Sequence, residues 1–419
     1  MFKNVEATIG ANTISIETGK LAKQASGSVV VRSGETVVLV TAVGDKVNKP
    51  ELGFLPLTIE YQEKMASVGR IPGNYFRREI GRPSEHEVLT CRIIDRPMRP
   101  LFADGYCAET QVIASVLSAD QENDPDMLAL TGASCALTLS DIPFAGPVAG
   151  GRVGYIDGEY IMNPTAQQLE QSAMDIVVAC TESAVVMVEG RADILSEDVV
   201  LNAIFFAFDN VQPLIQLQKE LQAACGKQKR AVEPPQIDEE LYNKIVAAAE
   251  GDMAAVISTT DKLERGDKYD ELKAKVNETL DPEGERSGEI SSLLSKYRKT
   301  AMRSNIVNES QRIDGRAFDQ VRPISCEAGY LPRTHGSALF TRGETQALVS
   351  ATLGSERDQQ RVETLTGEEH KRFMLHYNFP PFCVGEVRRL FGPSRRDIGH
   401  GTLARRGVES VSYTHLRAH

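Results

Sequence analysis

Apolar positions in the first half of the chain come in short, β-branched runs separated by turn residues. Residues 29–32 and 37–41 flank Ser33-Gly34, which predicts a tight hairpin. Tyr155-Ile156 and Tyr160-Ile161 flank Asp157-Gly158 in the same way. Residues 175–180 and 184–189 are rich in Val and read as two further strands. Two segments read as helices. Asp124-Pro125 opens one that runs through Leu139, where Ala129, Gly132, Ala133 and Ala136 suit close packing. Ser196, followed by Glu197 and Asp198, opens another through Phe205, in line with capping and dipole preferences. Beyond Pro234-Pro235 the period becomes helical. Leu241, Ile245 and Ala248 form one stripe; Tyr269, Leu272, Val276 and Leu280 a second; Ile290, Leu293, Leu294 and Tyr297 a third. The β-rich pattern returns from Arg312.

The pattern also repeats. Gly27-Ser28-Val29-Val30-Val31-Arg32-Ser33-Gly34-Glu35-Thr36 is echoed by Gly336-Ser337-Ala338-Leu339-Phe340-Thr341-Arg342-Gly343-Glu344-Thr345 at a constant offset of 309. Tyr61 with Val68-Gly69 matches Tyr377 with Val384-Gly385. Arg77-Arg78-Glu79-Ile80-Gly81-Arg82 is paired with Arg395-Arg396-Asp397-Ile398-Gly399-His400. So long a period predicts two copies of one domain, not a solenoid. The second copy is expected to be incomplete.

Bulk properties exclude several classes. At 419 residues the chain suits two or three domains. Its seven Cys show no CxxC or Cys/His ligand spacing, so neither a disulfide framework nor a zinc site is expected, and a reduced cytoplasm is. The N-terminus has no signal-peptide pattern and no apolar run approaches 18 residues, so no membrane association is expected. A net charge of −11 argues against a generally basic nucleic-acid binder. Two local segments oppose that average. Residues 70–99 carry a net +3 and residues 386–406 a net +4, and every cation in them is Arg. The guanidinium fork matches phosphate oxygens bidentately.

Arg395, Arg396 and, one helical turn later, His400 are placed to meet one anion, and phosphoryl transfer asks mainly for cationic stabilisation of the equatorial oxygens. The alternative is an exposed basic turn. Phe76-Arg77-Arg78 sets an aromatic ring beside two cations, which suits a base stacked near a phosphate, with Arg82 close by. Arg92, Arg96 and Arg99 share a helical face until Pro97 and Pro100 interrupt it; Asp95 is a candidate partner, and a salt-bridge network competes with RNA contact there. His86, His335 and His376 lack partners at metal-ligand spacing and read as core or surface residues. Gly34 and Gly343 read as turn formers, and no Walker A or dinucleotide fingerprint is present.

The Gly-Glu-Thr hairpins, Tyr75-Phe76-Arg77-Arg78, Ile94-Asp95-Arg96-Pro97-Met98-Arg99-Pro100, Asp124-Pro125-Asp126-Met127-Leu128, the Thr334–Gln346 stretch (residues 334–346) and Gly399-His400-Gly401 together resemble the bacterial polynucleotide phosphorylase family, over about residues 1–409. The resemblance implies an α+β fold with duplicated RNase PH-like cores, the second incomplete, separated by a small all-helical domain. The expected boundaries are 1–230 for the first core, 231–305 for the helical domain, 306–409 for the incomplete second core and 410–419 for a tail outside the pattern.

It further implies a phosphate-dependent 3′-to-5′ exoribonuclease that releases nucleoside diphosphates, runs backwards as a template-independent polymerase, and serves mRNA turnover. Inorganic phosphate is the co-substrate and Mg²⁺ the cofactor, with ligands expected beyond this chain. Single-stranded RNA 3′ ends, a homotrimeric ring at full length and RNA-degradation proteins are the implied partners. Arg395, Arg396 and His400 match the family's catalytic cluster. Phe76, Arg77, Arg78, Arg82, Arg92, Arg96 and Arg99 are the expected RNA-binding residues. Ile80 is an extra residue relative to the family pattern and is expected to shift Arg82 in register. The 419 residues alone are expected to be inactive; the competing expectation is a non-catalytic RNA-binding ring subunit of RNase PH type.

Overall fold

A computed structural model describes residues 2–73, 75–79, 82–234, 236–310, 312–390 and 392–416. Ile80 lies outside the described residues. The chain forms two compact units, Met1–Pro234 with Glu356–His419, and Pro235–Ser355.

The first unit begins with β1 (Lys3–Ile9), β2 (Asn12–Thr18), β3 (Gly27–Ser33), β4 (Thr36–Gly44) and β5 (Leu57–Glu63), followed by helix α1 (Glu85–Met98) and β6 (Thr110–Ser118). Then come α2 (Pro125–Leu139), β7 (Ala149–Ile156), β8 (Glu159–Met162), α3 (Ala166–Gln171), β9 (Met174–Cys180), β10 (Val185–Ala192) and α4 (Glu197–Cys225). Two sheets result, in the orders β1-β2-β3-β4-β6-β5 and β10-β9-β7-β8. β5 and β6 run parallel with α1 as their crossover. Every residue of α2 from Asp126 to Leu139 is buried. Its apolar character all round is what a helix enclosed on every side requires. Gly132 lets it approach Val40 and Val31 of the first sheet, and Leu130 meets Gly150 of the second.

The Gly-Glu-Thr turn acquires a partner here. Gly34 takes φ +57°, the left-handed conformation that favours glycine. The Asp120 carboxylate accepts from the Glu35 backbone N–H (3.0 Å) and the Thr36 hydroxyl (2.9 Å), clasping the hairpin to the β6–α2 connection. Burial pushes this carboxyl up, but hydrogen bonds from the backbones of Asn123 and Glu122 and the side chains of Asn123 and Thr36 outweigh it and bring its pKa down to about 2.

Two sequence expectations need correction. The helix opened by Ser196 does not stop at Phe205 but runs to Cys225, because Val211, Leu214, Ile215, Gln218 and Leu221 continue its buried stripe past Pro213. By length and composition alone α4 could cross a membrane, but its buried face packs on the first unit's core. Pro97 does not end α1 either; the helix passes through it to Met98.

The second unit holds α5 (Glu239–Ser258), α6 (Lys262–Leu280) and α7 (Ser287–Glu309), whose stripes close on a small core. Ala249 is the buried residue of the first stripe rather than Ala248. A three-stranded antiparallel sheet follows: β11 (Ile324–Ala328), β12 (Gly336–Arg342) and β13 (Thr345–Ala351). β12 and β13 reproduce the register of β3 and β4 residue for residue at the offset of 309. Burial is not reproduced. Val40 is 0% exposed, whereas its counterpart Val349 is 53% exposed.

Residues 356–416 return to the first unit as β14 (Gln360–Thr364), β15 (Gly367–Lys371) and α8 (Arg395–Leu416). The β14–β15 hairpin has no counterpart in the first copy and seats Leu365 in the first unit's core. The fold is therefore α+β, with two copies of one strand arrangement separated by a helical segment.

Candidate functional site

α1 and α8 begin alike, and this sets the true alignment of the two copies. Ser84 accepts from the Glu87 N–H while Glu87 accepts from the Ser84 N–H (2.6 Å). Ser394 and Asp397 make the same reciprocal pair, at 3.2 and 2.7 Å. The offset at the helix is thus 310. Arg395, Arg396 and His400 correspond to Glu85, His86 and Thr90, not to Arg77, Arg78 and Arg82 as the sequence motif suggested. The segment between Gly69 and Ser84 is six residues longer than its counterpart between Gly385 and Ser394, and Phe76, Arg77 and Arg78 lie within it.

Of the three expected catalytic residues, the structure brings two together. Arg396 lies over the Phe379 ring at 6.0 Å, and His400 Nδ1 is 3.5 Å from the Tyr377 hydroxyl. Tyr377 and Phe379 stack on one another, so the cation and the imidazole share an aromatic floor one turn apart. Arg395 points elsewhere. It donates to the Ile59 carbonyl and pairs with Glu60 of β5 at 2.5 Å.

α8 lies antiparallel against its counterpart α1. Glu85, in the first turn of α1, meets Thr402 and Arg405 of α8 (3.1 and 3.2 Å), while Arg92, further along α1, meets Gly399 near the start of α8. A Cβ at 399 would sit 2.6 Å from Arg92 Nε, so the glycine sets the closeness of this contact. Arg92 therefore packs between helices. Arg96 pairs with Glu189 of β10 at 3.0 Å. Arg99 pairs with Asp95 at 2.6 Å and donates to the Leu55 and Leu57 carbonyls. These three cations are engaged by the fold.

The exposed group is different. Tyr75 and Phe76 are 93% and 77% exposed, with their rings edge to face at 5.3 Å. Arg77, held at φ +52°, Arg78 and Arg82 are exposed beside them. Arg82 reaches towards Gly392, close to the start of α8. Arg70 anchors the segment by donating to the carbonyls of Thr364 and Leu365 at the β14–β15 tip, and Gly73 donates to Glu363 (3.0 Å).

Where the second copy has Arg396, the first has His86, and its surroundings are acidic. Its Nδ1 and Nε2 lie 3.1 Å from Glu63 and 3.2 Å from Asp126. Arg152 ties Asp124 and Asp175, at 2.7 Å each, and reaches Asp126 at 3.8 Å. The Asp126 charge raises the His86 pKa well above its ordinary value; burial opposes this, and hydrogen bonds to Asp126 and Glu63 add to it. Sequence spacing missed this group because its members come from five elements, β5, α1, α2, β7 and β9.

Among the described residues Glu63, His86 and Asp126 are the one group with three ligand-type atoms within 4.8 Å of one another. Mg²⁺ prefers an all-oxygen octahedral shell. Here an imidazole stands between the carboxylates and the Arg152 cation already faces them, so the group does not fit that ion. Beside Arg396 and His400, Asp397 is committed to its capping box. The described residues offer no Mg²⁺ site there.

Comparison with known proteins places these features. The profile of the 3′ exoribonuclease family, domain 1, matches residues 11–143 and again 320–419, and that of domain 2 matches 146–210. A profile described as polyribonucleotide nucleotidyltransferase, RNA binding domain, matches residues 240–317, which include the three helices of the second unit. The polyribonucleotide nucleotidyltransferase of Desulfotalea psychrophila is 68% identical over 412 residues, 98% of this chain and 60% of the relative. Those of Desulfosudis oleivorans and Geobacter sulfurreducens are 54% and 51% identical over 97% and 98% of this chain, and 56% and 59% of the relatives. The chain thus spans less than two thirds of the length of the relatives it matches.

Proposed function

Since the chain belongs to the 3′ exoribonuclease family, we propose that it contributes to a polyribonucleotide nucleotidyltransferase: a phosphate-dependent 3′-to-5′ exoribonuclease acting on single-stranded RNA ends in the cytoplasm during mRNA turnover. In that reaction an oxygen of inorganic phosphate attacks the terminal phosphodiester. The bond to the preceding ribose O3′ breaks, that oxygen takes up a proton, and a nucleoside diphosphate leaves. The reverse reaction extends RNA from diphosphates.

The observation that carries this reading is the placement of Arg396 and His400 one turn apart over Tyr377 and Phe379. Arg396 would neutralise an equatorial phosphate oxygen, and His400 would donate a hydrogen bond to the same anion. Arg395 would join them only by leaving Glu60. The exposed Phe76, Arg77, Arg78 and Arg82 would grip the RNA by stacking and phosphate contact. Arg92, Arg96 and Arg99 would hold the scaffold beneath that grip. Mg²⁺, a homotrimeric ring and RNA-degradation partners belong to the same proposal.

Purified chain, a labelled single-stranded oligoribonucleotide and inorganic phosphate test it. Binding should weaken with salt, with a slope that shrinks by about 0.7 for each phosphate contact removed by substitution. Phe76→Ala should weaken binding by about 1–3 kcal/mol. No nucleoside diphosphate should be released by the chain alone. Absence of binding at low salt would refute the RNA reading. Release of diphosphates would show that the metal and phosphate sites lie within these 419 residues.

A further inference from the structure

His86 faces a carboxylate with each of its two ring nitrogens, Glu63 at 3.1 Å and Asp126 at 3.2 Å. A neutral imidazole has one N–H, so both contacts are hydrogen bonds only in the doubly protonated form. Both partners are acceptors that cannot give the proton back while ionised.

The position of this contact matters as much as its chemistry. Glu63 closes β5 and His86 sits in the first turn of α1, so the bridge joins the two ends of the segment that exposes Tyr75, Phe76, Arg77 and Arg78. Two backbone-to-carboxylate hydrogen bonds run beside it: the Glu63 N–H donates to Glu87 (2.8 Å) and the Met65 N–H to Glu79 (3.1 Å). Asp126, only 3% exposed, fixes the bridge to the start of α2, and its Oδ1 has no partner of its own. The groups facing His86 are Tyr61 and Glu63 from β5, Asp124 and Asp126 from the α2 terminus, and behind them Arg152 from β7; Glu85 and Glu87 flank it on α1, where Glu85 is held by Arg405 and Lys371. The surroundings are net acidic and favour the cation. The equivalent residue in the second copy is Arg396, whose side chain is a guanidinium.

We propose that His86 is a positioning residue: its imidazolium clamps the base of the Phe76-Arg77-Arg78 segment and holds it ready for RNA, and deprotonation loosens that grip. This rests on the RNA-binding role given to the segment above. The sign follows from linkage. A group whose folded pKa is raised contributes fully below its unfolded value of about 6.5, and the contribution is lost as pH rises through the folded value.

The test uses trypsin nicking after Arg77 and Arg78, measured between pH 6 and pH 9.5 on the whole chain. Each rate is divided by that of His86→Gln at the same pH, which cancels the protease's own pH profile. The wild type should be protected about fivefold relative to His86→Gln at pH 6, the scale of one half-exposed charge-assisted hydrogen bond. The protection should fall as pH rises across this range. His86→Arg should stay protected throughout. Oligoribonucleotide affinity, read by anisotropy, should follow the same curves. Equal nicking of wild type and His86→Gln at pH 6, or a ratio that does not change with pH, would overturn the clamp. Nicking that behaves as expected while no oligonucleotide binds at any pH would overturn the link to RNA and, separately, the RNA reading itself.

Discussion

Single residues show how far local chemistry constrains this chain. Gly132 is buried in α2, and a Cβ there would lie 2.6 Å from Val40 Cγ2 and 3.0 Å from Val31 Cγ2. Gly132→Ala gains about 1 kcal/mol of helix propensity but overpacks a closed core by about 1–3 kcal/mol. A net loss of up to about 2 kcal/mol is expected in urea unfolding. Asp120 gives a pH-dependent counterpart. Its carboxyl is held at about 2, so the stability it brings is complete above the unfolded value near 4 and is lost as pH falls through 2. Asp120→Asn should cost about 1–3 kcal/mol at pH 7, and the difference from wild type should close towards pH 2. The Arg99–Asp95 pair was legible in the sequence, since four residues separate them on one helix. Arg96–Glu189 was not, because its partner comes from a distant strand. Nor was His86, whose acids are supplied by the end of β5 and the start of α2.

At the scale of elements, what was read correctly is local. The hairpins at Gly34 and Asp157-Gly158, the Asp124 and Ser196 caps and the three helical stripes need only neighbours a few residues away. What was misread is the pairing of the copies, because an Arg-Arg motif was matched where the caps Ser84 and Ser394 mark the equivalent helices. Insertion of the β14–β15 hairpin and the longer Gly69–Ser84 segment hid that equivalence. The hairpin is attached chiefly through Leu365, 6% exposed in the first unit's core, and through Arg70. Leu365→Ala should cost about 2–4 kcal/mol locally and raise amide exchange across residues 360–371, with little change in β1–β4.

At the scale of the molecule, the two copies form a comparison within one chain. β3–β4 and β12–β13 share motif and register, yet the first is covered by α2 and the second has no such helix among the described residues. β5 has β6 as its parallel partner, while residues 373–379 form no strand. Ile324, Leu348 and Val349 are 53–56% exposed as a result. Such apolar surface favours association and local opening. Limited proteolysis should therefore cut residues 320–355 well before 1–234; equal resistance would contradict this.

The sequence by itself determined the hairpins, the caps, the helical domain and the presence of two related copies, because turn chemistry and hydrophobic period act over a few residues. Only the tertiary structure decided which of two nearly identical hairpins is buried, which Arg is engaged by an acid, and that His86 stands between two carboxylates. Those outcomes depend on partners brought from distant strands and helices, and a residue's charge state or burial is a property of the groups packed against it.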